Sequence, residues 1–184
     1  MTEHRSTYPV EIAGLYRELP LFEVKPGLRI AVLNILGDTE LIQACAQALT
    51  AELSNNHYDA IVTAEAKSIP LAYALSLTTE KPFVVLRKHY RSYMGETIQA
   101  ETISITTGRQ QRLYLDEKDH QLIKAKQVVL LDDVISTGST LEGMKQVMDK
   151  AGAEVVAEAA VFTEGDQARW AHIVALGHLP LFTD

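Results

Sequence analysis

Val128-Val129-Leu130-Leu131-Asp132-Asp133-Val134-Ile135-Ser136-Thr137-Gly138-Ser139-Thr140 is the stretch from which the rest of the chain can be read. Its opening apolar run has no alternating polar positions, the pattern of a strand covered on both faces. The run passes directly into two carboxylates and then into a turn of small hydroxyl side chains around one glycine. Beyond Gly138, Leu141, Met144, Met148 and Ala151 recur at helical spacing, and Gly152 stops that helix.

Adjacent carboxylates at the end of an apolar strand are costly unless something pairs with them. The turn after them offers free amides at a helix N-terminus, where the helix dipole favours an anion, and Gly138 lets the backbone approach closely. Neighbouring strand residues point to opposite faces, so one aspartate can meet a ligand while the other meets a second partner. A carboxylate only accepts hydrogen bonds, which suits the paired hydroxyls of a ribose ring. A phosphate cradle beside a diol acceptor implies a site for a ribose 5-phosphate. Helix capping by Ser136 or Thr137 accounts for the turn but not for Asp132 and Asp133. A Walker-type loop is excluded, because Ser139 stands where that loop needs lysine.

Outward from this unit the same alternation repeats. Ala60-Ile61-Val62-Thr63, Phe83-Val84-Val85-Leu86 and Val155–Phe162 are further buried strands. Helical stretches lie around Leu41–Leu53, with Leu41, Cys45, Leu49 and Leu53 on one side, and near Ile69–Leu77. Buried strands alternating with helices predict an α/β fold with a mostly parallel sheet covered on both faces, with ligands beyond the carboxyl ends of the strands. Residues 1–27 read as an N-terminal segment with a short helix near Glu11–Leu19, ended by Pro20. Residues 89–115 lack an amphipathic helix and read as a long hairpin or flap.

The chain has 184 residues, enough for one domain with a sizeable core, and its composition, 47% hydrophobic and 22% charged, is that of a globular protein. A net charge of −7 argues against a nucleic-acid surface. Cys45 is the only cysteine, so no internal disulfide is expected. With neither a signal-like nor a membrane-length apolar run, the expectation is a cytoplasmic protein with no membrane partner.

The segment 129–140 resembles the binding motif for 5-phosphoribosyl-1-pyrophosphate (PRPP) in type I phosphoribosyltransferases. Ile61-Val62-Thr63-Ala64-Glu65-Ala66-Lys67-Ser68-Ile69-Pro70-Leu71 is similar to the pyrophosphate loop of the adenine-type branch. Phe83–Lys88, followed by Gly95-Glu96, is similar to that branch's third strand and the base of its flexible loop. Ala74–Thr79 and Leu113-Tyr114-Leu115 resemble the archaeal hypoxanthine/guanine enzymes. The match covers about residues 59–163.

The resemblance implies a three-layer fold with a small hood, to which residues 1–58 contribute, and a flexible hairpin over 89–115. It implies a purine phosphoribosyltransferase of salvage, a single domain over 1–184 acting as a homodimer on PRPP and a purine base or purine nucleotide monophosphate. Magnesium would arrive on PRPP, with Asp132 or Asp133 as its possible protein contact. Asp132 and Asp133 would hold the ribose, and Ser136, Thr137, Gly138, Ser139 and Thr140 the 5′-phosphate. Glu65, Ala66, Lys67 and Ser68 would line the pyrophosphate, with Arg87 and Lys88 as neutralising charges. The bland readings are an ordinary strand–helix turn and a solvated basic pair. Trp170 and Phe182 fit either a base pocket or core packing.

Three departures stand out, the first being Ser136 where hypoxanthine-guanine enzymes of the other branch carry an aspartate just before Thr-Gly. The sequence has Lys67-Ser68 where adenine enzymes usually have Arg-Gly. The flexible-loop glutamate that assists proton transfer at the base has no carboxylate counterpart in Ser104-Ile105-Thr106-Thr107-Gly108. The catalytic acid or base is therefore unassigned, with Asp132, Asp133, Glu96 and Glu101 as candidates. A PRPP-sensing regulator that kept the fold without the chemistry is the alternative.

Overall fold

The computed structural model describes residues 5–103 and 110–183. The chain opens with an antiparallel hairpin, β1 (Thr7–Ile12) and β2 (Leu15–Lys25), followed by β3 (Leu28–Ala31) and α1 (Thr39–Glu52). β4 (Ala60–Ala64), α2 (Ile69–Thr79) and β5 (Phe83–Leu86) form the first strand–helix–strand unit. A second hairpin, β6 (Ile98–Ile103) and β7 (Gln110–Leu115), and the single turn α3 (His120–Ile123) lead to β8 (Gln127–Ile135) and α4 (Ser139–Ala151). β9 (Glu154–Glu164), β10 (Val174–Leu179) and β11 (Phe182–Thr183) close the chain.

The central sheet has the order β10-β9-β8-β4-β5 and is parallel throughout. Side chains alternate across it. Ile61, Val129, Leu131 and Val161 pack with α1, α2 and the N-terminal strands. Ala60, Val62, Val128 and Leu130 pack on the opposite face with α4, α3 and the β6–β7 hairpin, which buries Ala100, Leu113 and Leu115 there. Both faces are dry, which is why these strands carry uninterrupted apolar runs. Among the described residues, no helix is long and apolar enough to cross a membrane.

A second, antiparallel sheet, β1-β2-β3-β11, forms a hood. The expectation of a short helix near Glu11–Leu19 is corrected here. Thr7–Ile12 pairs with Leu15–Pro20 around Ala13 and Gly14, whose φ angles of 50° and 76° make a two-residue turn. Such a turn matches the twist of the strands it joins. Val10, Ile12 and Leu19 are buried while Tyr16 is exposed, so the two-residue period overrides the helical one.

The two strand–helix units diverge from the middle of the central sheet. β4 passes through α2 to β5 on one side, and β8 passes through α4 to β9 on the other. Their pairing ends at Thr63↔Leu131. Beyond that point β8 continues beside β9 alone, with Val134↔Phe162 and Ile135↔Thr163 in register. The strand predicted to end at Leu131 therefore runs on through both aspartates. Divergence of this kind opens a crevice at the carboxyl ends of the two central strands, the usual place for a ligand in an open α/β sheet.

Candidate functional site

Residues 136–140 form the turn after β8. Gly138 has φ 79° and caps α4 at its N-terminus. A Cβ added there would lie 2.8 Å from Cη2 of Trp170, so both backbone conformation and space require glycine. The hydroxyls of Thr137 and Ser139 are 3.1 Å apart. The turn encloses a depression of about 40 Å³ bordered by Asp132 and residues 134–141. The amides of a helix start, a glycine and four hydroxyl side chains around a space this small suit one phosphoryl group.

The turn after β4 meets it across the crevice. Thr63 donates through Oγ1 to the Leu131 carbonyl at 2.8 Å, tying the two strands at their ends. Ser68 Oγ donates to Asp132 Oδ1 at 3.3 Å. The Lys67 ammonium lies 2.8 Å from Asp133 Oδ2 and 3.3 Å from the Leu33 carbonyl. A cavity of about 240 Å³ is lined jointly by Glu65, Ala66, Lys67, Ser68, Lys88, Asp132, Asp133 and Thr140. The two segments singled out in the sequence thus share one space.

Both aspartates border that space, although alternation along the strand predicts opposite directions for them. Asp133 is buried and bound to Lys67. Asp132 Oδ1 also accepts the Asp133 amide at 2.9 Å. Burial, reinforced by the Asp133 carboxylate, pushes the Asp132 carboxyl up to about 7. Among the described residues no group of three or more His, Cys, Asp or Glu gathers into a metal cage.

Arg87 and Glu65 are ion-paired, and the other Glu65 oxygen accepts the Lys88 amide at 2.8 Å. Burial opposes ionisation of Glu65, but the Lys88 amide and the Arg87 guanidinium hold its carboxyl below the usual range. Glu65 and Arg87 therefore brace the turn after β4 against the end of β5, and Lys88 faces the cavity together with Lys67. Glu101 is not brought to this group. It lies on the exposed face of β6, bound to Arg112 at 2.9 Å, while Thr102 turns inward and Glu96 lies beside Glu117. Ser104-Ile105-Thr106-Thr107-Gly108 lies outside the described residues.

Beside the phosphate-sized turn lies a mostly apolar cavity of about 550 Å³ between hood and sheet. Val24, Leu28, Ile30 and Leu181 come from the hood side, Trp170 from the floor, and Ser136 and Thr137 join it to the turn. Trp170 is buried and also serves the core. Phe182 packs edge-on against Tyr8 within the hood, so of the two aromatic candidates Trp170 is the one that lines this cavity. Sequence reasoning missed Glu164, which borders the same cavity. A carboxylate ending an apolar strand was the available signal, the one that marked Asp132.

A five-stranded parallel sheet whose two strand–helix turns face each other at its point of divergence, roofed by a small antiparallel sheet, defines the class of α/β fold to which the chain belongs. The chain belongs to the phosphoribosyl transferase domain family, which it matches over residues 32–173, well over half its length. It is 38% identical over 117 residues to the hypoxanthine/guanine phosphoribosyltransferase of Methanococcus voltae, covering 64% of this chain and 59% of that enzyme. It is 35% identical over 127 residues to that of Methanotorris igneus, covering 69% of this chain and 66% of the relative. The matched stretches thus span less than two thirds of these relatives. Among solved structures, adenine phosphoribosyltransferase from Thermoanaerobacter pseudethanolicus superposes with a TM-score of 0.67 at 17% identity, covering 94% of this chain and 95% of that one. The adenine enzyme of Trypanosoma brucei, solved with AMP, pyrophosphate and ribose-5-phosphate, gives 0.63 at 19% identity over 78% of this chain and 67% of that one. At these identities the likeness is one of fold.

Proposed function

We propose that this protein is a purine phosphoribosyltransferase that displaces pyrophosphate from C1 of PRPP with a ring nitrogen of a purine base. One observation carries the reading: the phosphate-sized turn, the paired aspartates and the Lys67–Lys88 cavity lie in sequence along one crevice, with an apolar cavity adjoining. Residues 136–140 hold the 5′-phosphate through amides and hydroxyls. Asp132 and Asp133 accept the ribose hydroxyls, and Ala66, Lys67, Ser68 and Lys88 receive the pyrophosphate. The apolar cavity takes the base. The similarity to hypoxanthine/guanine enzymes supports a purine.

The substrate is taken as magnesium-bound PRPP. Two carboxylates and, among the described residues, no complete cage fit an ion that keeps its waters and is shared with substrate phosphates. When bound, the ion supplies neutralisation of the departing pyrophosphate charge. The residues themselves act by position. Lys67 and Lys88 present charge where negative charge develops, and the turn and the aspartates fix the sugar so that C1 faces the base. The Glu65–Arg87 pair shapes the loop and leaves its neighbours to the ligand.

The test is pyrophosphate release from PRPP and magnesium with adenine, hypoxanthine, guanine and xanthine in turn. Steady turnover with at least one base is expected. Absence of turnover with all four, in protein shown to be folded, rejects the reading.

A further inference from the structure

Glu164 ends β9 at 7% exposure. Its backbone carbonyl accepts the Trp170 indole N–H at 3.0 Å. The carbonyl of the next residue, Gly165, accepts His178 Nε2–H at 3.0 Å, while His178 Nδ1 accepts the Thr163 hydroxyl at 2.9 Å. The backbone is thus held on both sides of Glu164, and its side chain borders the cavity of about 550 Å³. Among the described residues that carboxyl makes no hydrogen bond or ion pair. Burial raises its pKa above the usual range, against a pull from the Lys67 charge.

A buried carboxyl facing a largely apolar cavity is unfavourable until something donates to it. Of the donors that also line the cavity, the Trp170 N–H is used by the Glu164 carbonyl and Arg169 Nη2 by the Thr137 carbonyl, and neither these nor Lys25, Ser136 or Thr137 is bonded to the carboxyl, so a donor carried in by the ligand can meet it. Ser136 and Thr137 connect this cavity to the phosphate turn, so a base joined to the bound sugar extends into it. Purines differ at the relevant edge. Guanine and hypoxanthine carry N1–H, and guanine adds a 2-amino group beside it, so that two parallel N–H donors match the two carboxylate oxygens. Adenine presents a lone pair at N1.

We propose that Glu164 is the specificity-determining residue for the base, accepting N1–H and, in guanine, the 2-amino group, so that 6-oxopurines are chosen over adenine. The inference rests on the purine phosphoribosyltransferase reading and adds the base and the residue that reads it. Trp170 and the hood residues supply the apolar walls, and Glu164 the carboxylate that reads the base edge. A site built to hydrogen-bond a ligand group rejects the analogue lacking it far more strongly than an apolar pocket rejects a misfit.

Calorimetric titration with GMP, IMP, AMP and N1-methyl-GMP, and separately with magnesium and PRPP, tests this on the wild-type chain and on Glu164→Gln. GMP and IMP are expected to bind at least about tenfold more tightly than AMP and N1-methyl-GMP. Glu164→Gln is expected to lose at least about tenfold in GMP affinity while keeping that for PRPP. AMP binding as tightly as GMP, or an unchanged GMP affinity in the folded variant, overturns the assignment but leaves the parent reading standing if PRPP binds. Binding of neither PRPP nor any nucleotide overturns both. Should the variant fail to fold, GMP against its N1-methyl derivative on the wild-type chain decides alone.

Discussion

Lys67 Nζ lies 2.8 Å from Asp133 Oδ2, joining the turn after β4 to the end of β8 across the crevice between them. Asp133 is buried while about half of the Lys67 side chain is exposed, so the pair stands between a surface ion pair and a buried one. Lys67→Met keeps the aliphatic stem and removes the charge, leaving Asp133 beside Asp132 with no counter-charge. Urea unfolding is expected to show a loss of about 1 kcal/mol, and calorimetry a PRPP affinity at least about tenfold weaker. A variant as stable and as tightly binding as the wild type places Lys67 outside the site.

Asp132 makes stability depend on pH in a direction opposite to that of a salt-bridged carboxylate. Its folded pKa is raised from about 4 to about 7, so the folded state holds a proton that the unfolded state releases. This contribution is fully present below pH 4 and is lost as pH climbs to 7. Asp132→Asn removes the titrating group. Melting temperature against pH is expected to fall less steeply for the variant between pH 4 and 7, and the variant is expected to be the more stable above pH 7, by roughly 1–3 kcal/mol. Parallel curves for the two proteins contradict the assignment.

Gly138 combines left-handed backbone with contact against Trp170, so alanine meets two obstacles there. Gly138→Ala is expected to lower stability by about 1–3 kcal/mol and to abolish measurable PRPP uptake, because the amides at the start of α4 no longer converge. Gly152→Ala supplies the control. It has φ 73° but nothing within 4 Å of an added Cβ, so it is expected to cost stability alone. Equal PRPP affinity in Gly138→Ala and the wild type removes the turn from the binding site.

How much of this was legible in the sequence follows from how each part is held together. The strand from Val128, the aspartates and the turn are contiguous, so apolar run, charge and glycine could be read as one unit. The parallel sheet followed from the same runs, since burial on both faces leaves no polar alternation. The hood was hidden. Its first turn is Ala13-Gly14 rather than the Asn-Gly that usually marks such hairpins, and β11 is a two-residue strand whose partner, β3, lies at the other end of the chain. Glu65 was read as a pyrophosphate contact because it sits in the loop, and only the fold shows its carboxylate turned to Arg87 and the Lys88 amide. Glu164 needed the hood above it before a charge at a strand end became a charge facing a cavity.

The Glu65–Arg87 pair provides the remaining test, since it separates the loop's brace from its ligand contacts. If Glu65 and Arg87 act only through each other, removing either one undoes the brace and removing the second adds little. Glu65→Gln and Arg87→Met are therefore expected to weaken PRPP binding by similar amounts, and the double variant by hardly more than either alone, a coupling of about 1 kcal/mol or greater. Lys88 faces the cavity, and its amide contact to Glu65 survives a change of side chain. Lys88→Met is accordingly expected to add its loss in full to either variant. A cycle in which Arg87→Met and Glu65→Gln are additive, with Arg87→Met costing as much as Lys88→Met, would instead make Arg87 a direct contact of the pyrophosphate. Its guanidinium would then have to leave Glu65 on binding, and the brace would be a resting arrangement that the ligand displaces.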